Sequence, residues 1–299
     1  MENITALVST FARAFHYRNH SEWIFEDSLA EKMLTEEEYA GISKNMAEGI
    51  SFFAPGFEGT EKDALRFIVD HQLAPSVLAR SAFCEQAMDH AIGTGCRQIV
   101  LYACGYDTFS LRTSHKDLWV FELDRPEMIT DKQRRIAGRN LQPACHVEYL
   151  ACDLSESSWK EDLRKKGFHE DQRSFGSLLG ISYYLSKEEF RNLISNIASV
   201  WSEGSCLCFD YPLSEEGTES RRNRELAAAA GETMKANYTQ DELETLLAEA
   251  GFIICEQMNA DEATERLFEE YNRNNAEFRM TAPNGVGYCL AVKSERDER

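Results

Sequence analysis

Gly105 and Asp124 are the residues whose types and spacing first suggest chemistry. Gly105 follows a short apolar run, residues 99–103, through the small residues Ala103 and Cys104. Small side chains and one flexible glycine at a strand end let a ligand approach the backbone. Asp124 closes a second apolar run that begins at Leu118. A glycine turn after one parallel strand and a carboxylate after the next is how doubly wound sheets hold an adenosine. The turn meets the polar part of the ligand, and the carboxylate accepts from the ribose hydroxyls. A single glycine after a strand is only a turn, and the pairing with Asp124 is what gives it weight. G-x-G-x-x-G is absent, which argues against NAD or FAD. Cys104 and Cys152 fall beside these turns, and their alkylation is expected to block the ligand.

The elements that must position these residues alternate strand and helix. Residues 99–103 are apolar throughout, as suits a strand buried on both faces. Residues 118–124 give the second strand, and Pro126 suits the first turn of a helix running to about Arg139. Residues 146–151 give the third strand, Ser155 starts a helix with Trp159 and Leu163, and residues 175–181 give the fourth strand. Ser186 and Glu189 form a capping box before an apolar stripe from Phe190 to Trp201. Residues 206–211 give the fifth strand, Thr239 and Glu242 cap another helix, and residues 252–258 and 286–292 read as two final strands with a helix, 262–274, between them. These last two could pair as an antiparallel edge. Before all this, residues 1–94 read as a helical cap. Thr60 and Asp63 cap one of its helices, Pro75 breaks that helix, and another runs over residues 76–91. The cap either covers the ligand side of the sheet or only packs against it. Residues 212–237 interrupt the rhythm and read as a lid near the strand ends or as a solvated surface helix.

Composition narrows the partners. The chain has 299 residues, 43% of them hydrophobic, enough for a packed core. A formal net charge of -19 argues against nucleic acid and against a membrane surface, since both are anionic. Nine cysteines without a C-x-x-C pattern, mostly in apolar runs, fit a reducing, cytoplasmic setting without disulfides and without a metal site. No apolar run approaches the ~20 residues of a membrane span, and the N-terminus does not read as a signal peptide.

In this order, the motifs resemble those of the leucine carboxyl methyltransferase family, including its bacterial small-molecule branch. The first is Leu101-Tyr-Ala-Cys-Gly105-Tyr-Asp107-Thr108 with Arg112 following; the second is Glu122-Leu-Asp124-Arg-Pro126 with Lys132; the third is Asp153-Leu154. Arg80, within Leu78-Ala-Arg80-Ser-Ala-Phe83, fits the helix before the first strand, and Thr5-Ala6 and Arg13-Ala14 are similar to the family's opening. The resemblance implies a class I methyltransferase fold: α/β, Rossmann-like, doubly wound, a mostly parallel seven-stranded sheet with an N-terminal helical cap. It implies one methyltransferase domain over 1–299, with the cap at 1–94 and the cofactor-binding core at 95–299. The implied cofactor is S-adenosylmethionine. Arg80 would pair with its methionine carboxylate, Gly105 would let the backbone approach the methionine part, Asp124 would take the ribose hydroxyls, Asp153 and Leu154 would flank the adenine, and Ala103, which narrows the approach without forbidding it, and Gly180 would complete the cofactor-binding set. Two departures stand out. Ala103 replaces a glycine, and Leu179 replaces a glutamate that the family places near the methionine amino group.

The resemblance further implies methyl transfer to an oxygen of a small molecule. A carboxylate acceptor is already ionised and needs no base, whereas a hydroxyl needs one. The candidate bases are His16, His20, His71 and His90 in the cap and His146 at the start of the third strand, and none is persuasive. Tyr183, Tyr184 and Tyr211 are candidate substrate-wall residues, or core packing; Asp107 and Arg112 read as holding the turn after the first strand. The alternatives are methylation of a protein C-terminal carboxylate, a cofactor-binding protein without catalysis, which Leu179 keeps open, and, more distantly, an NAD-linked oxidoreductase.

Overall fold

The computed structural model describes residues 4–214 and 235–294. Seven strands form one sheet in the order β3-β2-β1-β4-β5-β7-β6. They are β1 (Gln98–Tyr102), β2 (Trp119–Asp124), β3 (His146–Ala151), β4 (Ser174–Leu178), β5 (Cys206–Pro212), β6 (Phe252–Met258) and β7 (Val286–Lys293). β1 to β5 pair in parallel, and β7 runs antiparallel between β5 and β6. The chain reverses its strand order between β1 and β4, where open α/β sheets bind ligands. The late antiparallel pair is present, but β7 lies inside the sheet and β6 is its edge.

The apolar strands are buried on both faces, with neighbours alternating sides. Ile99 and Leu101 pack with α1 (Ile4–Asn19) and, further along the chain, α5 (Ala74–Gly93), whereas Val100 and Tyr102 pack on the opposite side. Between those two helices lie α2 (Glu36–Glu48), α3 (Ile50–Phe53) and α4 (Glu61–Ile68). After β1 come α6 (Phe109–Arg112), α7 (Pro126–Gly138), α8 (Trp159–Lys165) and α9 (Lys187–Ser199). Then follow α10 (Gln240–Glu249), α11 (Ala260–Leu267) and α12 (Glu269–Asn274). α7 shares the α1 and α5 side through Met128, Ile129 and Ile136; α8, α9 and α10 cover the other through Trp159, Ile194 and Leu247.

The capping boxes at Thr60, Ser186 and Thr239 all form. Several boundaries differ from the expectation. Pro75 does not break a helix: α4 passes through a π-turn, Val69–Leu73, directly into α5, with Pro75 in its first turn, where its missing N–H costs nothing. The helix after β3 starts at Trp159 rather than Ser155. β4 ends at Leu178, because Gly180 turns the backbone to φ +70° and gives its N–H to a side chain instead of the ladder. The helix expected over 262–274 is divided at Phe268 into α11 and α12. Most of the lid reading at 212–237 lies outside the described residues. Among the described residues, no helix is long and apolar enough to cross a membrane, and no group of His, Cys, Asp or Glu is placed to hold a metal ion.

Candidate active site

A cavity of about 610 Å3 opens where β1, β2, β3 and β4 end, with α1 and α5 as its opposite wall. Such a volume suits a cofactor-sized ligand. On the sheet side the turns are locked by their own backbone. Cys104 N–H donates to Leu123 O at 3.1 Å, and Cys152 N–H donates to Asp124 O at 2.8 Å, so the ladder continues past the strand ends. Asp124 then organises the first turn: one carboxylate oxygen accepts the Gly105 N–H and the other accepts the Arg125 N–H, each at 2.7 Å. Burial pushes this carboxyl above its ordinary range, against the two N–H bonds, which favour its charge. Each oxygen keeps capacity for a further donor. Asp153 accepts from Ser155 N–H at 2.9 Å, and that bond holds its carboxyl below the usual range.

Two backbone features mark the closeness of the approach. Gly105 takes φ +47°, and a Cβ there would already touch Ala6 of α1 at 3.5 Å. Ala103 also sits at positive φ, +50°, a conformation that costs an L-residue about 1 kcal/mol. Glu122 and Lys132 explain why their motif couples an acid to a later lysine. Both are fully buried, their charges meet at 2.6 Å, and Ser110 Oγ donates to Glu122 at 2.6 Å, so α7 is fastened to β2 directly behind Asp124.

The helical wall is held by side chains that meet across long stretches of chain. Arg13 of α1 donates to Asp27 at 2.8 Å and to Tyr106 O at 2.9 Å, sewing α1 to the turn after β1. Asp27 also accepts from Thr108 at 2.7 Å and pairs with Arg112, which clasps Glu85 of α5. Burial alone would raise the Asp27 carboxyl; Arg13 and Arg112 outweigh it and hold the group low. Asp107 accepts from Phe109 N–H at 2.7 Å just before α6, so Asp107 and Arg112 brace this turn. Arg80 reaches the cavity from α5, between Ser9 Oγ at 3.1 Å and Asp210 at 3.5 Å.

The structure therefore brings Arg80, Ala103, Gly105, Asp124, Asp153, Leu154, Gly180 and Tyr184 to one cavity, with Leu179 beside them. Tyr183 and Tyr211 are placed elsewhere. Tyr183 is buried and donates to Asp210 at 3.0 Å; Tyr211 is buried in the core and bonded to Gln257. Tyr183 and Tyr184 are neighbours in a 3-10 turn and diverge, and Tyr211 lies inside β5, so of the three only Tyr184 reaches the opening. None of the candidate histidines lines the cavity. His16 accepts Ile24 N–H at 3.0 Å, His20 is buried between Asp70 and Tyr271, His71 and His90 are exposed, and His146 lies at the other end of the sheet against Trp119. Sequence reasoning missed Ser9, Asp27, Glu85 and Asp210. Only Asp210 left a trace, as a lone acid inside an apolar strand.

The sheet order, with one antiparallel strand inserted next to the last, and the cavity at the strand ends define a class I methyltransferase fold. Residues 6–198 match the model of the family described as leucine carboxyl methyltransferase. The chain is 34% identical over 303 aligned positions to YktD of Bacillus subtilis, provisionally named an S-adenosyl-L-methionine-dependent methyltransferase, covering 97% of this chain and 98% of that protein. A similarly named protein of Mycobacteroides abscessus is 31% identical over 65% of this chain and 66% of its own length. Among solved structures, a DUF574 family protein from Streptomyces avermitilis superposes with a TM-score of 0.56 at 16% identity, over 84% of this chain and 99% of that one. A provisionally named methyltransferase from Thermobifida fusca gives 0.54 at 14% identity, over 85% and 95%. This chain belongs to the leucine carboxyl methyltransferase family.

Proposed function

We propose that this S-adenosylmethionine-dependent methyltransferase methylates an oxygen of a small molecule, and that the oxygen belongs to a carboxylate. The observation that carries the cofactor half is the gathering of Asp124, Asp153 and Arg80 around one cavity at the strand ends. The residues fit the group. Asp124 retains acceptor capacity for vicinal hydroxyls, Asp153 has an oxygen free of the Ser155 contact for an amino group, and Arg80 offers a planar fork to a carboxylate. Bound there, the cofactor supplies an electrophilic methyl on a sulfonium.

The protein's own part is binding, alignment and exclusion of water. Gly105 and the turn around Gly180 let the ligand lie against backbone, while Ala6, Ser9 and Thr10 of α1 close over it. A carboxylate acceptor arrives ionised, so its oxygen needs only to be aimed. The described lining supports that choice: it includes no histidine, and Asp107, Asp124 and Asp153 are each engaged by backbone N–H groups. Tyr184 and Leu185 flank the acceptor end. We place the reaction in the cytoplasm, in keeping with nine unpaired cysteines.

The test is a screen with methyl-labelled cofactor against carboxylic acids and phenols. The reading expects label in a product that releases methanol in mild base, as esters do. A base-stable product would mean hydroxyl methylation, and label in neither set, with cofactor still bound, would favour a binding protein without catalysis.

A further inference from the structure

Asp210 is fully buried near the end of β5, and its carboxylate joins the turn after β4 to Arg80 of α5. One oxygen accepts the Gly180 N–H at 2.7 Å. The other accepts from Tyr183 Oη at 3.0 Å and faces Arg80 Nη1 at 3.5 Å. Its own carbonyl accepts from Ser182 Oγ at 2.6 Å, so the turn after β4 is bound to the end of β5 at each of these points. Arg80 lies directly against this turn: a Cβ on Gly180 would come within 2.7 Å of Nη1. Gly180, at φ +70°, thus clears the space Arg80 occupies and turns its N–H to the acid that holds it.

We infer that Asp210 is the positioning residue for Arg80, fixing the guanidinium so that its remaining donors face the amino-acid carboxylate of the cofactor. The inference rests on the cofactor reading above. Arg80 has a long side chain with several rotatable bonds, and a bidentate contact demands that its plane be set before the ligand arrives. Ser9 Oγ restrains one nitrogen from α1, and Asp210 restrains the other from β5. An uncharged amide at 210 can still accept from Gly180 but turns its NH2 toward Arg80, replacing attraction by repulsion.

The experiment compares two probes by calorimetry: S-adenosylhomocysteine, which carries the carboxylate, and 5′-methylthioadenosine, which lacks the amino-acid part. Wild type binding both establishes the cofactor site, and wild type binding neither refutes the cofactor reading itself. In Asp210→Asn we expect S-adenosylhomocysteine to weaken by roughly tenfold or more while 5′-methylthioadenosine changes by less than about twofold. On an Arg80→Ala background the Asp210 substitution should add nothing further for S-adenosylhomocysteine, because its effect passes through Arg80. Equal weakening of both probes, no weakening of either, or full additivity with Arg80→Ala would overturn the inference. Retained nucleoside binding serves as the check that the cavity is folded. If Asp210→Asn does not fold, Asp210→Glu, which keeps the charge but moves it by one methylene, is read in the same way.

Discussion

The two walls of the cavity are built by opposite means. The sheet wall is short-range and made of backbone: strand ends, a glycine turn, and acids that accept N–H groups from their own or adjoining turns, as Asp124 does for Gly105 and Arg125 and Asp153 does for Ser155. The helical wall is long-range and made of side chains. Arg13 of α1, Asp27 of the loop after it, Glu85 of α5, and Thr108 and Arg112 at the start and end of α6 lock together in partial or full burial. The first kind of wall tolerates little change of residue type because backbone geometry demands it. The second tolerates change only in sets, because each charge is compensated by another far along the chain.

The comparison breaks most clearly at Asp27. Removing its carboxylate in Asp27→Ala leaves Arg13 and Arg112 short of a buried partner, and we expect a loss of about 3–5 kcal/mol in unfolding free energy. Denaturant titration measures it, and a loss under about 1 kcal/mol would mean the wall does not depend on this hub. At the second rank, Arg80→Ala should weaken S-adenosylhomocysteine by roughly tenfold, about 1.4 kcal/mol, with little change in melting temperature. A protein equally destabilised in both measures would make Arg80 structural.

A pH-dependent effect also separates the walls. His16 of α1 is held down to about 3, first by burial and then by neighbouring His20. Its folded value lies below the ordinary 6.5, so the unfolded chain takes up the proton first. Stability is therefore intact above pH 6.5 and falls as the pH drops below it. By the linkage relation the loss reaches roughly 2 kcal/mol at pH 5. His16→Gln, which can still accept the Ile24 N–H, should flatten that part of a melting-temperature profile; an unchanged slope would assign the effect to other groups. The smallest effect concerns the thiols of the sheet wall. Burial, and next to it Asp124, pushes Cys152 up to about 12, and burial raises Cys104 well above its ordinary value. Iodoacetamide at neutral pH should therefore reach exposed Cys255 first and leave ligand binding intact. Mass spectrometry showing early labelling of Cys152 would contradict this.

This difference also explains what could be read from the sequence. The strands, the turn at Gly105 and Asp124 were legible because local pattern dictates them, apolar runs closed by small or acidic residues, whereas Asp153 was assigned through the family resemblance. The capping boxes were legible for the same reason. Arg80 was found only through the family resemblance, and its partners Ser9 and Asp210 were not found at all, since their contacts span 71 and 130 residues of chain. Tyr183 and Tyr211 take the core-packing alternative and Tyr184 the cavity, a division the strand-end rule could not make because it gives the edge of the sheet but not the side on which each tyrosine points. Pro75 misled because a π-turn absorbs it without ending the helical run.

The central claim is that the sheet wall receives the adenosyl part of S-adenosylmethionine through Asp124. Calorimetric titration of S-adenosylhomocysteine into wild type and Asp124→Ala tests it directly. Micromolar binding in wild type that falls by about a hundredfold in the variant, the loss of two charge-assisted hydrogen bonds, is the predicted result. Binding of equal strength in both proteins, or none in wild type, would contradict it.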